Sequence, residues 1–165
     1  MLQQTYRYLS KWDPSDIDAV IPPIQVVTCI FQCEDKFLVL QRARKDLQHN
    51  LWGIPGGKLD QNEEPIYGLI RESYEELGVR FSKEMFQLLG TAISRTPSDG
   101  QYGLYVYHAV VPSDLNIEIN YAEHYAFRWV TVQEFLSLDL LTAQREAFML
   151  VQDKVIGLFN LTKKI

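Results

Sequence analysis

The stretch from Gly53 to Val79, GIPGGKLDQNEEPIYGLIRESYEELGV, places five glutamates, one aspartate and five glycines between apolar runs. Carboxylates at helical spacing repel one another, so such a cluster is unfavourable unless something positive lies beside it. The stretch itself carries few basic residues. It therefore indicates a bound cation.

The second half of this stretch predicts an α-helix from about Glu64 to Leu77. Asn62 is a candidate N-cap, Pro65 is tolerated in the first turn, and Gly78 is a suitable stop. At about 100° per residue, one arc of the helix is mainly apolar and is expected to face a sheet. Its members are Ile66, Leu69, Ile70, Ser73 and Leu77.

A second arc of the same helix carries three carboxylates. Glu72, Glu75 and Glu76 stand at positions i, i+3 and i+4, which are neighbours on a helix surface. Oxygen ligands in this number suit a hard cation such as Mg²⁺ or Mn²⁺. Gly56 and Gly57 give the preceding loop the freedom to turn tightly and to present a carbonyl. An isolated glutamate-rich face is more often simply solvated, so the surrounding pattern has to decide.

That pattern resembles the signature of the Nudix hydrolase family. From Gly57 to Val79 the sequence follows Gly-x5-Glu-x7-Arg-Glu-U-x-Glu-Glu-x-Gly-U, where U is a bulky aliphatic residue. Every charged and glycine position is filled. Ser73 is the one departure, and its place in the buried arc makes this a matter of packing rather than chemistry.

The resemblance implies an α/β fold, with a mixed β-sheet sandwiched between helices in an α/β/α arrangement. It places this domain at residues 24–160, after a lead-in of residues 1–23. It also implies a metal-dependent hydrolase that cleaves the pyrophosphate linkage of a nucleoside diphosphate derivative. The implied metal ligands are Gly56, through its carbonyl, Glu72, Glu75 and Glu76, and the implied supports of the site are Gly57, Glu63, Arg71 and Gly78, with Glu63 paired to Arg71.

Two parts of the site stay open at this stage. The general base is Glu76, or else Glu123 or His124, which precede a predicted strand ending near Trp129. Arg42 and Arg44 follow another strand and are candidates for phosphate binding, although such a charge run is more often a solvated edge.

Composition limits the function further. The 165 residues are 47% hydrophobic and 22% charged, as in an ordinary single globular domain. No signal peptide and no apolar run of about 20 residues is present, so we expect a cytoplasmic protein without a membrane span. The net charge of −5 argues against long nucleic acids, including mRNA. A nucleoside triphosphate or a nucleotide sugar remains, and the alternative to an enzyme is a non-catalytic nucleotide-binding sensor.

Other segments predict secondary structure. Apolar runs on either side of Glu34-Asp35 predict a β-hairpin, and Cys29 and Cys33 are too far apart on one strand to form a disulfide. TVQEFLSL opens with a Thr-x-x-Glu capping box. A final helix is predicted with apolar positions at Ala147, Leu150, Val151, Ile156 and Phe159.

The lead-in carries Tyr6, Tyr8 and Trp12, which are more aromatic side chains than a solvated tail usually has. One interpretation makes these residues a homodimer interface. The other makes the segment an extra strand of its own sheet.

Overall fold

One mixed sheet organises the chain. The computed structural model describes residues 8–43, 49–96, 100–142 and 144–162. Its strands are β1 (Tyr8–Lys11), β2 (Ile24–Cys33), β3 (Lys36–Arg42), β4 (Trp52–Gly53), β5 (Gly56–Lys58), β6 (Gln87–Thr96), β7 (Gly100–Val110) and β8 (His124–Val130). Their order is β1-β6-β7-β2-β3-β4, with β5 on β2 and β8 on β3. The β2–β7 pair is parallel and the other pairs are antiparallel.

The two central strands separate, and this opens the sheet. β2 and β3 form the predicted hairpin, yet they pair only beside its turn, at Gln32 with Phe37 and Cys33 with Lys36. Farther along, β5 lies against β2 and β4 lies against β3. The chain from β4 to β5 therefore crosses the gap between the two long strands.

Helices cover both faces of the sheet. α1 (Pro65–Leu77) lies on one face, and α2 (Val132–Ser137) and α3 (Gln144–Thr162) lie on the other. Successive strand residues point to opposite faces, so each long strand contributes to two cores. On the α1 side these are Val27, Cys29, Phe31, Leu38 and Leu40, and on the α3 side Ile30, Phe37 and Val39. The predicted α/β/α sandwich is confirmed.

α1 ends as predicted but begins differently. Gly78 adopts a left-handed conformation with φ 70°, and its N–H donates to the carbonyl of Tyr74. The N-cap, however, is Glu64 and not Asn62. Proline at the first helical position forces the residue before it to be extended. Because Pro65 is that position, the helix boundary falls between Glu64 and Pro65. Asn62 instead occupies a left-handed turn position with φ 60°.

Both later helices are present where they were expected. The capping box of α2 has both of its hydrogen bonds, between Thr131 and Glu134. In α3 the prediction for Ile156 was wrong, because its side chain is 38% exposed. Val155 is buried in its place, since the step of four from Val151 stays on the buried stripe and the step of five leaves it.

The lead-in contributes a strand. β1 pairs antiparallel with β6, and Trp12 directly after it is buried against Tyr105 at a ring-centroid distance of 5.4 Å. A Cβ at Gly103 would lie 2.6 Å from the Trp12 ring, so glycine makes room for it. The extra-strand interpretation therefore holds for Tyr8–Lys11. Tyr6 lies outside the described residues, and the homodimer stays a prediction.

The structure also bears on the cysteines and on the expected absence of a membrane-spanning helix. Cys29 and Cys33 are both free thiols, as their spacing on β2 predicted. Among the helices of the described ranges, none has the length and hydropathy that crossing a bilayer requires.

Candidate active site

Arg71 fastens the loop after β5 to α1. Its guanidinium donates two hydrogen bonds to Glu63, at 2.9 and 2.8 Å, and one to the carbonyl of Lys58 at 3.0 Å. The Glu63 carboxylate also accepts from the N–H of Asp60. The hydrogen bonds from Arg71 lower the pKa of Glu63, so this carboxylate stays ionised. The predicted pair of Glu63 and Arg71 is confirmed.

The same guanidinium also reaches the acidic arc of α1. It donates to Glu72 at 2.9 Å and to Glu75 at 3.2 Å. Arg71 therefore joins the loop carboxylate to two of the three helix carboxylates, and it fixes where Glu72 points. The remaining helix carboxylate, Glu76, is held by a different group.

Glu76 is a buried acid held by the backbone of β5. Its side chain accepts a 2.8 Å hydrogen bond from the N–H of Gly56, and the residue is only 6% exposed. Burial raises the pKa of Glu76 well above its ordinary value, while the Gly56 hydrogen bond opposes this and the nearby charge of Glu72 adds to it. Burial likewise raises the pKa of Glu72, against the opposing effect of Arg71. The site thus confines negative charge that the chain neutralises only in part.

Glycine is needed at the first two positions of β5, beside these acids. A Cβ at Gly57 would lie 2.3–2.5 Å from the carboxylate atoms of Glu72. Gly56 has φ 150°, and a Cβ there would lie 2.0 Å from the carbonyl oxygen of Val27. The two glycines therefore let β5 pass directly between β2 and α1.

A second loop brings two further ligand-type side chains to Glu76. The N–H of Asn120 donates to the carbonyl of Glu76, and the N–H groups of Glu123 and His124 donate to the carbonyl of Asn120. As a result Glu76, Glu123 and His124 each offer one ligand atom within 4.8 Å of the others. His124 Nε2 lies 3.5 Å from a carboxylate oxygen of Glu76.

These residues fit a divalent cation. Clustered carboxylate oxygens, with one imidazole beside them, are the donors that Mg²⁺ and Mn²⁺ accept in proteins. A cation here would offset the cost of burying these carboxylates and their mutual repulsion, which together raise the pKa of Glu72 and Glu76. The backbone of Gly56 adjoins the cluster through its N–H, and a role for its carbonyl stays a prediction.

The acidic cluster lines a cleft of about 420 Å³, in the size range of small-molecule sites. Of the two predicted phosphate-binding residues, Arg42 lines this cleft and Arg44 lies outside the described residues. Sequence reasoning missed part of the lining, namely Val26, Thr28, Leu40, Ile54, Leu141 and Gln144. These residues meet only because β2 and β3 separate, and no periodicity or motif marks that separation.

The chain was compared with known proteins. A family model described as NUDIX domain matches residues 22–151, which is most of the chain.

The chain belongs to the Nudix family.

Two relatives and one solved structure illustrate this membership. The chain is 30% identical over 129 residues to a CTP pyrophosphohydrolase of Escherichia coli, covering 76% of this chain and 91% of that protein. It is 36% identical over 89 residues to the human m7GpppN-mRNA hydrolase NUDT17, of which it spans 27% while 52% of this chain is covered. The solution structure of the E. coli ORF135 protein superimposes with a TM-score of 0.61 and 29% identity, covering 78% of this chain and 90% of that one.

A hydrogen bond explains how the helix accommodates Ser73, the one departure from the Nudix signature. The Ser73 side chain is fully buried, and its hydroxyl donates a 2.7 Å hydrogen bond to the carbonyl of Leu69 one turn earlier. A buried hydroxyl with such a partner avoids most of the penalty of desolvation. The chain is therefore a Nudix enzyme of the pyrophosphohydrolase type, with every charged residue of the signature in place.

Proposed function

We propose that this Nudix protein hydrolyses a phosphoanhydride bond of a small nucleotide, with a nucleoside triphosphate as the substrate, in a reaction that requires Mg²⁺ or Mn²⁺. The observation that carries the proposal is the convergence of Glu76, Glu123 and His124 within 4.8 Å at the wall of a small cleft. Clustered acids of this kind repel a phosphate chain unless a cation lies between them.

The cation would be held by Glu72, Glu75 and Glu76, with the carbonyl of Gly56. When bound, it supplies positive charge that stabilises the charge developing on the phosphate oxygens. Arg71 fixes the orientation of the Glu72 and Glu75 carboxylates and the Gly56 N–H fixes that of Glu76, so all three would be held in place to bind the cation.

The chain also supplies proton acceptors for the attacking water. Glu123 and His124 lie where the second loop enters β8, and their ligand atoms lie within 4.8 Å of that of Glu76. A carboxylate or imidazole within hydrogen-bonding reach of the water takes its proton as the bond to phosphorus forms. We assign this role to the group formed by Glu76, Glu123 and His124.

The choice of a nucleoside triphosphate rests on size, charge and kinship. A cleft of about 420 Å³ suits one small nucleotide. The net charge of −5 disfavours a polyanion such as mRNA. The relative named a CTP pyrophosphohydrolase aligns over 91% of its own length, whereas the cap hydrolase aligns over 27%.

A nucleotide panel tests the proposal. The four ribonucleoside triphosphates, a nucleotide sugar and a capped dinucleotide are incubated with the protein in Mg²⁺, in Mn²⁺ or in chelator, and the products are separated by ion-exchange chromatography. We expect a nucleoside monophosphate from at least one triphosphate, with turnover lost in chelator. Binding without turnover in either metal would instead establish the non-catalytic sensor.

A further inference from the structure

The loop before β8 is docked on the C-terminal end of α1. The N–H of Glu118 donates to the carbonyl of Leu77 at 2.9 Å, and the N–H of Asn120 donates to the carbonyl of Glu76 at 3.2 Å. A Cβ at Gly78 would lie 3.1 Å from Cβ of Glu118, so the glycine that ends α1 also leaves room for this loop. The last carbonyls of a helix have no partner within the helix, and here the loop supplies donors for two of them.

Beyond Asn120 the loop forms a single turn of helical type. The carbonyl of Asn120 accepts from the N–H groups of Glu123 and His124, at 3.0 and 2.9 Å. The side-chain Oδ1 of Asn120 accepts from the N–H of Ala122 at 3.1 Å. An asparagine oxygen that accepts from the second N–H after it has the arrangement of a helix N-cap. Asn120 therefore caps the turn that carries both ligand-type side chains.

An isolated turn of this length is not stable by itself. Forming one hydrogen-bonded turn fixes several backbone dihedrals for a single bond, so nucleation has an equilibrium constant of about 10⁻³. The turn does not compensate by burying its first side chains, because Tyr121 is 77% exposed and Ala122 is exposed as well. The contact with the core comes before Asn120, at Ile119. The first half of the turn is therefore held by the hydrogen bonds of Asn120 and not by packing.

Two anchors fix where the turn lies. One is the Asn120 N–H on the carbonyl of Glu76, and the other is the carbonyl of Glu123, which accepts from the N–H of Ala43 at 2.7 Å. Ala43 directly follows β3, so the turn bridges α1 and β3. Between these anchors, the shape of the turn sets the direction of Glu123 and His124. Their ligand atoms lie within 4.8 Å of that of Glu76, the residue to which the turn is anchored.

We infer that Asn120 is a positioning residue: its Oδ1 keeps the turn formed and thereby holds Glu123 and His124 against Glu76. This inference rests on the proposed function, in which these side chains serve the attacking water. Asn120 acts through them and does not itself contact the substrate. The competing explanation is that the two main-chain anchors hold the turn without help from the Asn120 side chain.

Two substitutions at Asn120 separate these explanations. Asn120→Ala keeps the main-chain hydrogen bonds and removes the acceptor for the Ala122 N–H. Asn120→Ser restores an oxygen that accepts from that N–H, since serine and asparagine are about equally good caps. Asn116→Ala is the matched control, because Asn116 is an exposed asparagine earlier on the same loop.

Amide hydrogen exchange, followed by NMR in chelator, measures whether the Asn120 side chain keeps the turn formed. Loss of a cap corresponds to a change of about 2- to 30-fold in the equilibrium for the turn. In Asn120→Ala we expect the amides of Ala122, Glu123 and His124 to exchange faster by this factor. In Asn120→Ser and Asn116→Ala they should exchange at about the wild-type rate. Unchanged exchange in Asn120→Ala would overturn the inference, and so would failure of Asn120→Ser to restore the rates.

Steady-state kinetics with Mg²⁺ and the best nucleotide of the panel then measures the effect on the reaction. Displaced proton acceptors slow the chemical step more than they weaken substrate binding. We therefore expect the kcat of Asn120→Ala to fall at least about threefold, with KM within about twofold of wild type, and Asn120→Ser to retain kcat.

Faster exchange in Asn120→Ala with unchanged kcat would overturn the positioning role, because it would show a cap that matters only for stability. An equal fall of kcat in Asn116→Ala would overturn it too. Asn120→Leu, which has nearly the shape of asparagine without its acceptor, is the second variant if Asn120→Ala fails to fold, and the same results are expected from it. If wild type hydrolyses no nucleotide, the proposed function fails, and hydrogen exchange still decides whether Asn120 holds the turn.

Discussion

Replacing Arg71 with alanine removes the group that joins the loop to α1. The guanidinium makes two hydrogen bonds to Glu63, one each to Glu72 and Glu75, and one to the carbonyl of Lys58. Without it, Glu63 retains only the N–H of Asp60 as a donor among the described residues. Glu72 then loses the contact that orients it toward the cleft.

The expected loss of stability follows from the exposure of the partners. The Arg71 and Glu63 side chains are 27% and 16% exposed, so their bidentate contact is only partly screened by solvent. Hydrogen bonds to charged groups contribute about 1.5–3 kcal/mol each to stability. The bond to Glu75 contributes less, because this half-exposed side chain regains hydrogen bonds with water when the bond is lost. We expect Arg71→Ala to lower the free energy of unfolding by about 2–4 kcal/mol. At this chain length that corresponds to a fall in Tm of about 4–16 °C.

Thermal unfolding followed by circular dichroism in chelator measures this change without a contribution from metal binding. Lys83→Ala removes an exposed positive charge and serves as the matched control, with an expected change within about 0.5 kcal/mol. Arg71→Lys keeps the charge without the planar fork and should fall between the two. We also expect Arg71→Ala to lower kcat by about 10- to 100-fold, as for groups that orient metal ligands. Equal melting temperatures for wild type and Arg71→Ala would refute the structural role of the pair.

Three further results are expected. Gly57→Ala should weaken Mg²⁺ binding, measured by calorimetry, at least about tenfold, because the new Cβ would lie within 2.5 Å of the Glu72 carboxylate. Unchanged affinity would show that the carboxylate moves aside freely. In chelator, Glu76→Gln should be more stable than wild type at pH 8 and should lose this advantage toward pH 5. The reason is that the pKa of Glu76 is raised in the folded protein, so the stability of wild type falls as pH rises through that pKa. A variant less stable than wild type at pH 8 would contradict this explanation. Burial lowers the pKa of His108, which lies 2.7 Å from Gln32, so its contribution to stability is present above about pH 6.5 and lost as pH falls. The free energy of unfolding of His108→Gln in urea should accordingly change less between pH 8 and pH 5 than that of wild type. An identical pH dependence for the two proteins would show that His108 does not contribute to it.

Local patterns were enough to predict the acidic part of the site. The helical spacing of Glu72, Glu75 and Glu76 and the stop at Gly78 are properties of one continuous segment, so sequence reasoning located them. The pairing of Glu63 with Arg71 came from the resemblance to the family signature. Glu123 was a candidate because it precedes a strand, although its distance from Glu76 came only from the structure.

The rest of the cleft lining depends on contacts between distant parts of the chain. Ile54 and Gln144 are 90 residues apart in sequence, and no repeat or motif relates them. The separation of β2 from β3 is equally hidden, since both strands are continuous runs that are buried over most of their length. The N-cap was misplaced at Asn62 because cap preference was weighed without the constraint that Pro65 places on its predecessor.

The turnover of Glu76→Gln tests the central claim most directly. Glutamine has nearly the same shape and keeps an oxygen for the Gly56 N–H, so the change removes the negative charge and little else. With Mg²⁺ and the best nucleotide of the panel, we predict a kcat about 10²–10⁴ lower than that of wild type. Glu84→Gln, which removes an exposed carboxylate outside the cleft, should retain full activity. A kcat close to that of wild type in a folded Glu76→Gln protein would contradict the assignment of this acidic cluster as the catalytic site.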